Sequence, residues 1–264
     1  MSYFARRPVA SLRPIVDRVW HVEESAGGAV PETICPDGRS EIVLHLGEPM
    51  AERVGAREYR QPRHLLVGQM TSPIAVVPTG RIEMVGARLA PDALHRLTRI
   101  PQVQLTGRVV DLELVWSRWT RLAADRVSAA SGAEQRLTVF EQALEELLAT
   151  SAPRPSRSIG AAIARLEASG GEVSIDVLAN VHGLSRRQFE RCFREQVGLS
   201  PRLFGRIVRF QRAFNALGIE SGAAIAARYG FSDQAHLVHE IRRFAGQPPT
   251  ALAEASGLTA FFRA

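Results

Sequence analysis

The feature that most constrains the fold is a pattern of small and apolar residues that occurs twice between residues 172 and 252. The first copy carries its alanine, glycine turn, apolar pair and stop signals at Ala179, Gly183, Phe189, Phe193, Gly198 and Pro201. The second copy carries the same signals at Ala226, Gly230, Leu237, Ile241, Gly246 and Pro249. The two copies are offset by 47 residues up to the glycine and by 48 after it, so one residue is inserted just past the turn.

Each copy predicts a helix, a tight turn and a second helix. Gly183 and Gly230 supply the residue that best tolerates a positive φ at the end of the first helix. Ser185, followed three residues later by Gln188, has the spacing of an N-terminal capping box, and Asp233 takes the capping role in the second copy. The apolar pair of each second helix is spaced by four residues and therefore lies on one buried face.

The opposite face of each second helix is polar and basic. In the first copy this face carries Arg186, Arg187, Glu190, Arg191 and Arg194. In the second copy it carries Gln234, Ala235, His236, His239, Arg242 and Arg243. Arginine reads guanine and glutamine reads adenine in the major groove, while further arginines meet phosphates. A solvated face on a helical hairpin is the alternative, but a turn, a cap and a basic face in both copies favour DNA binding.

At these residues the chain resembles the AraC/XylS family of bacterial transcription regulators. The resemblance covers about residues 157–255 and rests on Phe189, Arg191, Phe193, Arg194, Gly198, Pro201, Phe204, Arg209, Ala213, Gly230, Phe231, Asp233, His236, Leu237, Arg242, Gly246 and Pro249. It implies a DNA-binding domain in which a long helix joins two helix-turn-helix units. In many members an N-terminal cupin-like β-barrel senses a ligand. The Pro36-Asp37-Gly38 turn before Glu41 also resembles a subgroup whose sensor domain has no well-defined ligand.

Four positions depart from the family's usual residues. His239 stands where the family usually has Arg, Ile241 where it has Phe, Pro248 where it often has Ser, and Leu252 where it has an aromatic residue. Because histidine is mostly neutral at pH 7, His239 weakens the expected contact of the second unit with DNA. We therefore expect the first recognition helix to carry more of the sequence specificity.

Charge and cysteine usage agree with a DNA-binding protein of a reducing compartment. Residues 157–264 hold 14 Arg and 9 acidic residues, whereas residues 1–156 hold 19 Arg and 18 acidic residues, so the positive excess lies with the repeated pattern. Cys35 and Cys192 form neither a disulfide pattern nor a metal-binding pair, which predicts a cytoplasmic protein. No apolar run approaches the roughly 20 residues of a membrane span.

The predicted fold class is α+β. Residues 1–150 form a sensor or dimerisation domain, with a small antiparallel cupin-like β-barrel over 1–90 and helices over 91–149. Residues 151–158 are the linker, and residues 159–255 are the double helix-turn-helix domain. In the resembling family the helices after the barrel pair two subunits, so a homodimer through residues 110–149 is expected. The alternative is that the apolar stripe of 133–149 packs on the barrel.

The sequence predicts a regulator of transcription that is not an enzyme. Its partners are double-stranded DNA, a small-molecule effector or partner signal at the N-terminal half, and RNA polymerase if it activates. His21, His45 and His64 are scattered singly, so neither a catalytic site, a metal site nor a cofactor is expected. Two alternatives stay open. The barrel could serve only for oligomerisation, or it could be an enzyme fused to a DNA-binding domain.

Overall fold

A computed structural model describes residues 2–24, 31–98, 100–151 and 159–254 of this chain. Ten strands occur in these ranges: β1 Ser2–Arg6, β2 Val16–Glu24, β3 Glu32–Ile34, β4 Glu41–His45, β5 Ala51–Val54, β6 Arg57–Arg60, β7 His64–Val67, β8 Ile74–Val77, β9 Ile82–Leu89 and β10 Val109–Asp111. The helices are α1 Ala93–Leu97, α2 Glu113–Ala129, α3 Gly132–Thr150, α4 Gly160–Ala168, α5 Ile175–Val181, α6 Arg186–Val197, α7 Pro201–Ala216, α8 Gly222–Arg228, α9 Gln234–Ala245 and α10 Pro249–Glu254, with a 3-10 turn at Gln102–Gln104. The predicted α+β class is confirmed.

The strands form two antiparallel sheets. One has six strands in the order β1-β2-β9-β4-β7-β10, and the other has four in the order β3-β8-β5-β6. The expected closed barrel is not formed in the described part of the chain. Each sheet keeps two edge strands, because no backbone ladder joins one sheet to the other.

Alternation along the strands divides the N-terminal core into two layers. On β4, Ile42 and Leu44 face the helices, while Val43 faces the second sheet. Trp20 of β2 lies in the layer between the sheets, directly opposite Gly86 of β9. Gly86 is required there because a Cβ atom would overlap the indole ring.

Helix α3 covers the outer face of the six-stranded sheet. Its stripe of Leu137, Phe140, Leu144 and Leu147 is buried in the core layer that the sheet contributes to. The stripe therefore packs on the sheet of its own subunit. This is the alternative that the sequence offered to a dimer interface through these residues. On α2, by contrast, Leu114 is 81% exposed and Leu122 is 51% exposed.

Seven helices make the C-terminal core. Phe189, Phe193, Phe204, Phe210 and Phe244 are fully buried there, around the long helix α7 that the sequence predicts between the two units. The linker was predicted over residues 151–158. Of these, only Ser151, just after α3, is described, and residues 152–158 lie outside the described residues. Among the described residues, no helix has the length and apolar character to cross a membrane.

Candidate nucleic-acid interface

The first recognition helix, α6, begins and ends as the sequence predicts. The Ser185 hydroxyl accepts from the Gln188 backbone N–H at 3.4 Å, and the Gln188 side chain accepts from the Ser185 N–H at 3.0 Å. Gly183 precedes the cap with φ 62°, and Gly198 ends the helix with φ 90°. Phe189 pins the helix to the core, so the opposite face is held in a fixed direction.

The outer face of α6 presents three exposed arginines, Arg187, Arg191 and Arg194. Arg186 is also exposed, but its guanidinium contacts Asp176 at 3.3 Å and Glu190 at 3.1 Å. The hydrogen bond that Arg186 donates to Glu190, together with the two carboxylate charges, raises the pKa of Arg186. Glu190 is thus already paired with Arg186 through Oε1.

The second recognition helix, α9, has the same construction with different side chains. Asp233 accepts from the His236 backbone N–H at 2.7 Å, and this bond is the main reason that the pKa of Asp233 is lowered. Gly230 stands before the cap with φ 71°, and Gly246 ends the helix with φ 74°. Leu237 faces the core. Both predicted turns are therefore present.

The outer face of α9 is less basic than that of α6. Its fully exposed members are Gln234, Ala235, His239, Arg242 and Arg243. His236 is half-buried, because its Nδ1 lies 3.2 Å from the Ser232 hydroxyl and its ring packs edge-on against Phe231. One ring nitrogen of His236 is therefore engaged by the turn.

The arginines of α7 fix the relative position of the two units. Arg206 forms two bonds with Glu240 of α9, at 2.9 and 2.6 Å. Arg209 donates to the Gly230 carbonyl at 2.8 Å and lies over the Phe231 ring, with 5.4 Å between the guanidinium carbon and the ring centroid. From the sequence, some of the α7 arginines Arg206, Arg209 and Arg212 are expected to touch phosphate and others to pair with carboxylates. Arg206 pairs with a carboxylate, whereas Arg209 bonds to a backbone carbonyl.

Arg212 completes this set by capping α4. Its guanidinium donates to the carbonyls of Glu167 and Ala168 at the end of that helix. In the first unit, Leu178 of α5 is buried, but its neighbour Val177 is 42% exposed. A seven-residue helix places neighbouring residues about 100° apart, so only one of this pair can face the core.

A cavity of about 100 Å³ lies between the two sheets of the N-terminal half. Trp20, His45 and Arg88 line it, whereas His64 and Gln69 do not. Glu41 is a lining residue that the sequence did not indicate. Burial first, and then the charge of Asp37, raises its pKa to about 7, although the charge of Arg88 and the Trp20 indole act in the other direction. Burial lowers the pKa of His45 to about 4.

One group of potential metal ligands occurs among the described residues. Donor atoms of His21, Glu23 and Glu83 lie within 4.8 Å of one another. However, the Arg136 guanidinium lies against the Glu83 carboxylate and within 3.5 Å of His21 Nε2. Arg81 also pairs with Glu83. Two cations therefore already neutralise the carboxylate that a metal ion would need.

The fold and the paired basic helices define a protein with a double helix-turn-helix domain. Residues 178–255 match a family described as a helix-turn-helix domain, and residues 5–111 match a domain of unknown function (DUF6597). A transcriptional regulator from Chromobacterium violaceum with an AraC-type DNA-binding domain is 28% identical over 36% of this chain and 88% of its own, with a TM-score of 0.34.

A structure of an apo ToxT variant from Vibrio cholerae covers 94% of this chain and 98% of its own, at 9% identity and a TM-score of 0.51, and so shares the fold. No curated protein matches the sequence. Residues 178–255 therefore carry a helix-turn-helix domain, and the chain is similar to AraC-type regulators.

Proposed function

We propose that this chain reads two successive major-groove segments of double-stranded DNA with α6 and α9. The supporting observation is that both helices are capped, are pinned by buried apolar residues and are joined through one helix, α7. Recognition helices of such units enter grooves about one helical turn, roughly 34 Å, apart on one side of the duplex. The proposal divides the chain into a sensor domain of residues 1–150, a linker of 151–158 and a DNA-binding domain of 159–255.

Exposure and pairing assign roles to the side chains of the two faces. Arg187 and Arg191 read bases, because they are exposed and lie one helical turn apart on α6. Glu190 accepts from cytosine once Arg186 has turned towards the DNA. In the second unit the base-reading candidates are Gln234, His236 and His239, beside Ala235, which is small enough for close approach. Arg194, Arg242 and Arg243 hold phosphates and steepen the salt dependence of binding.

In-vitro selection of duplexes from a random library tests this function. We expect a motif of two short blocks about ten base pairs apart, since each recognition helix contacts one major-groove segment. A single block would mean that α9 only holds the backbone. Failure to enrich any duplex, both with the full chain and with residues 157–264, would refute the proposed DNA reading.

We further propose that a small molecule in the cavity between the sheets controls DNA binding. A cavity of about 100 Å³ has room for several water molecules, since one needs about 10–15 Å³. A completely filled interior would have favoured a barrel used only for oligomerisation. Fragment screening by ligand-observed NMR on the full chain tests the site, with Val43→Phe as a variant that fills it. Binding that is equal in both proteins would contradict the assignment.

The proposed homodimer would use α2 within residues 110–149. Leu114 and Leu122 offer exposed apolar surface there, whereas the stripe of α3 is already buried. Light scattering of the wild type and of a Leu114→Glu variant tests this. If the protein activates transcription, RNA polymerase is a further partner. The site of action is the cytoplasm, where its DNA target lies.

A further inference from the structure

We propose that the segment Cys35–Arg39, between β3 and β4, couples the cavity of the N-terminal half to the DNA-binding half. The inference rests on the proposed function, in that the cavity is taken as the effector site. Cys35, Asp37 and Arg39 of this segment line the cavity. Pro36, Gly38 and Arg39 of the same segment contact α7 or α4, so one short piece of chain forms part of both surfaces.

Three contacts hold the segment against the C-terminal half. The Gln211 side chain on α7 donates to the Pro36 carbonyl at 2.7 Å. Gly38 lies against the Phe204 ring so closely that an added Cβ atom would be 3.0 Å from it. Arg39 reaches Glu167 of α4 at 2.7 Å. In addition, Cys35 is 3% exposed and packs within the apolar core of the C-terminal helices.

On its other side, the segment is bound to the sheets by an ion pair and a hydrogen bond. Arg88 of β9 donates to the Asp37 carboxylate through two nitrogens, at 2.8 and 2.7 Å. The Gln69 side chain donates to the Gly38 carbonyl at 3.1 Å. Arg88 and Asp37 both line the cavity, so a ligand that competes for either of them acts on a backbone that is bonded to α7.

The coupling follows from where α7 lies in the DNA-binding half. Its residues Arg206 and Arg209 hold the second helix-turn-helix unit, and Phe204 packs against Phe193 of the first recognition helix. A displacement of the segment therefore changes the packing of the helix that sets the spacing of both units. Packed interfaces respond to such displacements by switching between discrete arrangements, rather than by deforming continuously.

Cys35 provides a direct measure of whether the segment is docked. The chain has two cysteines, and a Cys192→Ser background leaves only Cys35 for labelling. Burial raises the pKa of its thiol to about 12, and the charge of Asp37 adds to this, so the docked thiol is nearly inert. The variant Gln211→Ala/Glu167→Ala removes two contacts of the segment from the side that does not line the cavity. It should speed labelling by about tenfold, while Asn215→Ala, one turn along α7, should not.

The closing experiment is a double-variant cycle on the DNA affinity of the full chain. Val76→Phe fills the cavity from β8, and Leu65→Phe on β7 replaces it if that protein does not fold. We expect the filling substitution to change the Kd for the selected duplex by about fivefold or more, the lower range of typical allosteric coupling. In the Gln211→Ala/Glu167→Ala background the change should fall below about twofold, and with Asn215→Ala it should persist.

The outcomes separate the two proposals. A wild-type chain that binds no duplex refutes the proposed function itself. A chain that binds DNA, but whose Kd responds equally to cavity filling in both backgrounds, refutes only the coupling through Cys35–Arg39. Unchanged labelling of Cys35 in the double variant would also overturn the coupling, because the segment would then not depend on these contacts.

Discussion

Replacing Arg206 with alanine tests the ion pair that joins α7 to the second recognition helix. The Glu240 side chain is only 4% exposed, and its carboxylate accepts two hydrogen bonds from Arg206. The substitution leaves this carboxylate buried without its cation. Breaking a buried pair from one side costs about 3–5 kcal/mol. Since the Arg206 side chain is 27% exposed and partly screened by water, we expect the lower value, about 3 kcal/mol.

The pH dependence of this loss provides a second, independent measure. Burial alone would raise the pKa of Glu240, but the hydrogen bonds and charge of Arg206 outweigh burial and lower it. Stability from the pair is therefore present above the ordinary glutamate pKa and is lost as pH falls through the lowered value. Without Arg206, burial raises the pKa of Glu240. The difference in unfolding free energy between the wild type and the variant should consequently be largest at pH 7 and should shrink towards pH 4.

Urea unfolding followed by the helical circular dichroism signal checks both expectations. With a slope of about 2–3 kcal/mol per molar urea, the midpoint of the C-terminal transition should fall by about 1 M or more at pH 7. Arg202→Ala, an exposed arginine one turn earlier on α7, serves as the matched control and should leave it nearly unchanged. A midpoint of the Arg206→Ala variant equal to wild type at pH 7 would show that the pair contributes nothing net to stability.

The remaining predictions concern DNA reading, the first turn and the cavity. Arg191→Ala should weaken specific binding by about 1–3 kcal/mol and relax one base position in a repeated selection; unchanged specificity would rule out direct readout. Arg242→Ala should weaken binding to all duplexes alike and lower the salt slope by about 1, and a sequence-selective loss would contradict its phosphate role. Gly183→Val should unfold the first turn, because valine is strained at φ 62°, so a thermal midpoint like that of wild type would disprove the strain. Glu41→Gln should stabilise the protein more at pH 8 than at pH 5, because the folded carboxyl resists ionisation between its ordinary pKa and about 7; an equal effect at both would argue against a raised pKa.

The C-terminal half was predictable because its signals are local. Gly183, Ser185 and Gln188 determine a turn and a cap within six residues of chain, and the structure confirms all three. The apolar pair of each recognition helix likewise follows from helical periodicity alone. Asp233 was found in the same way despite the inserted residue, because capping depends on residue type and position rather than on overall spacing.

The N-terminal half was predicted less completely because its architecture depends on distant pairing. Short strands were expected, but whether they close into a barrel depends on which edges pair, and no residue near β3 or β6 encodes that. The half-buried position of Glu41 has the same origin, since it follows from a sheet that packs over β4 rather than from its neighbours in sequence. The ion pair of Arg206 with Glu240 spans 34 residues and was also beyond local reasoning.

The unequal outer faces of α6 and α9 have a consequence for the orientation of the protein on its DNA target. After the inserted residue, Arg187 corresponds to Ala235 and Arg191 corresponds to His239, so the two units cannot favour the same bases. In the proposed complex, a single bound chain therefore recognises a directional sequence rather than a palindrome. That direction determines which flank of the target faces the sensor half. Reversing the target in a promoter would turn the protein around, although every contact with DNA would be retained.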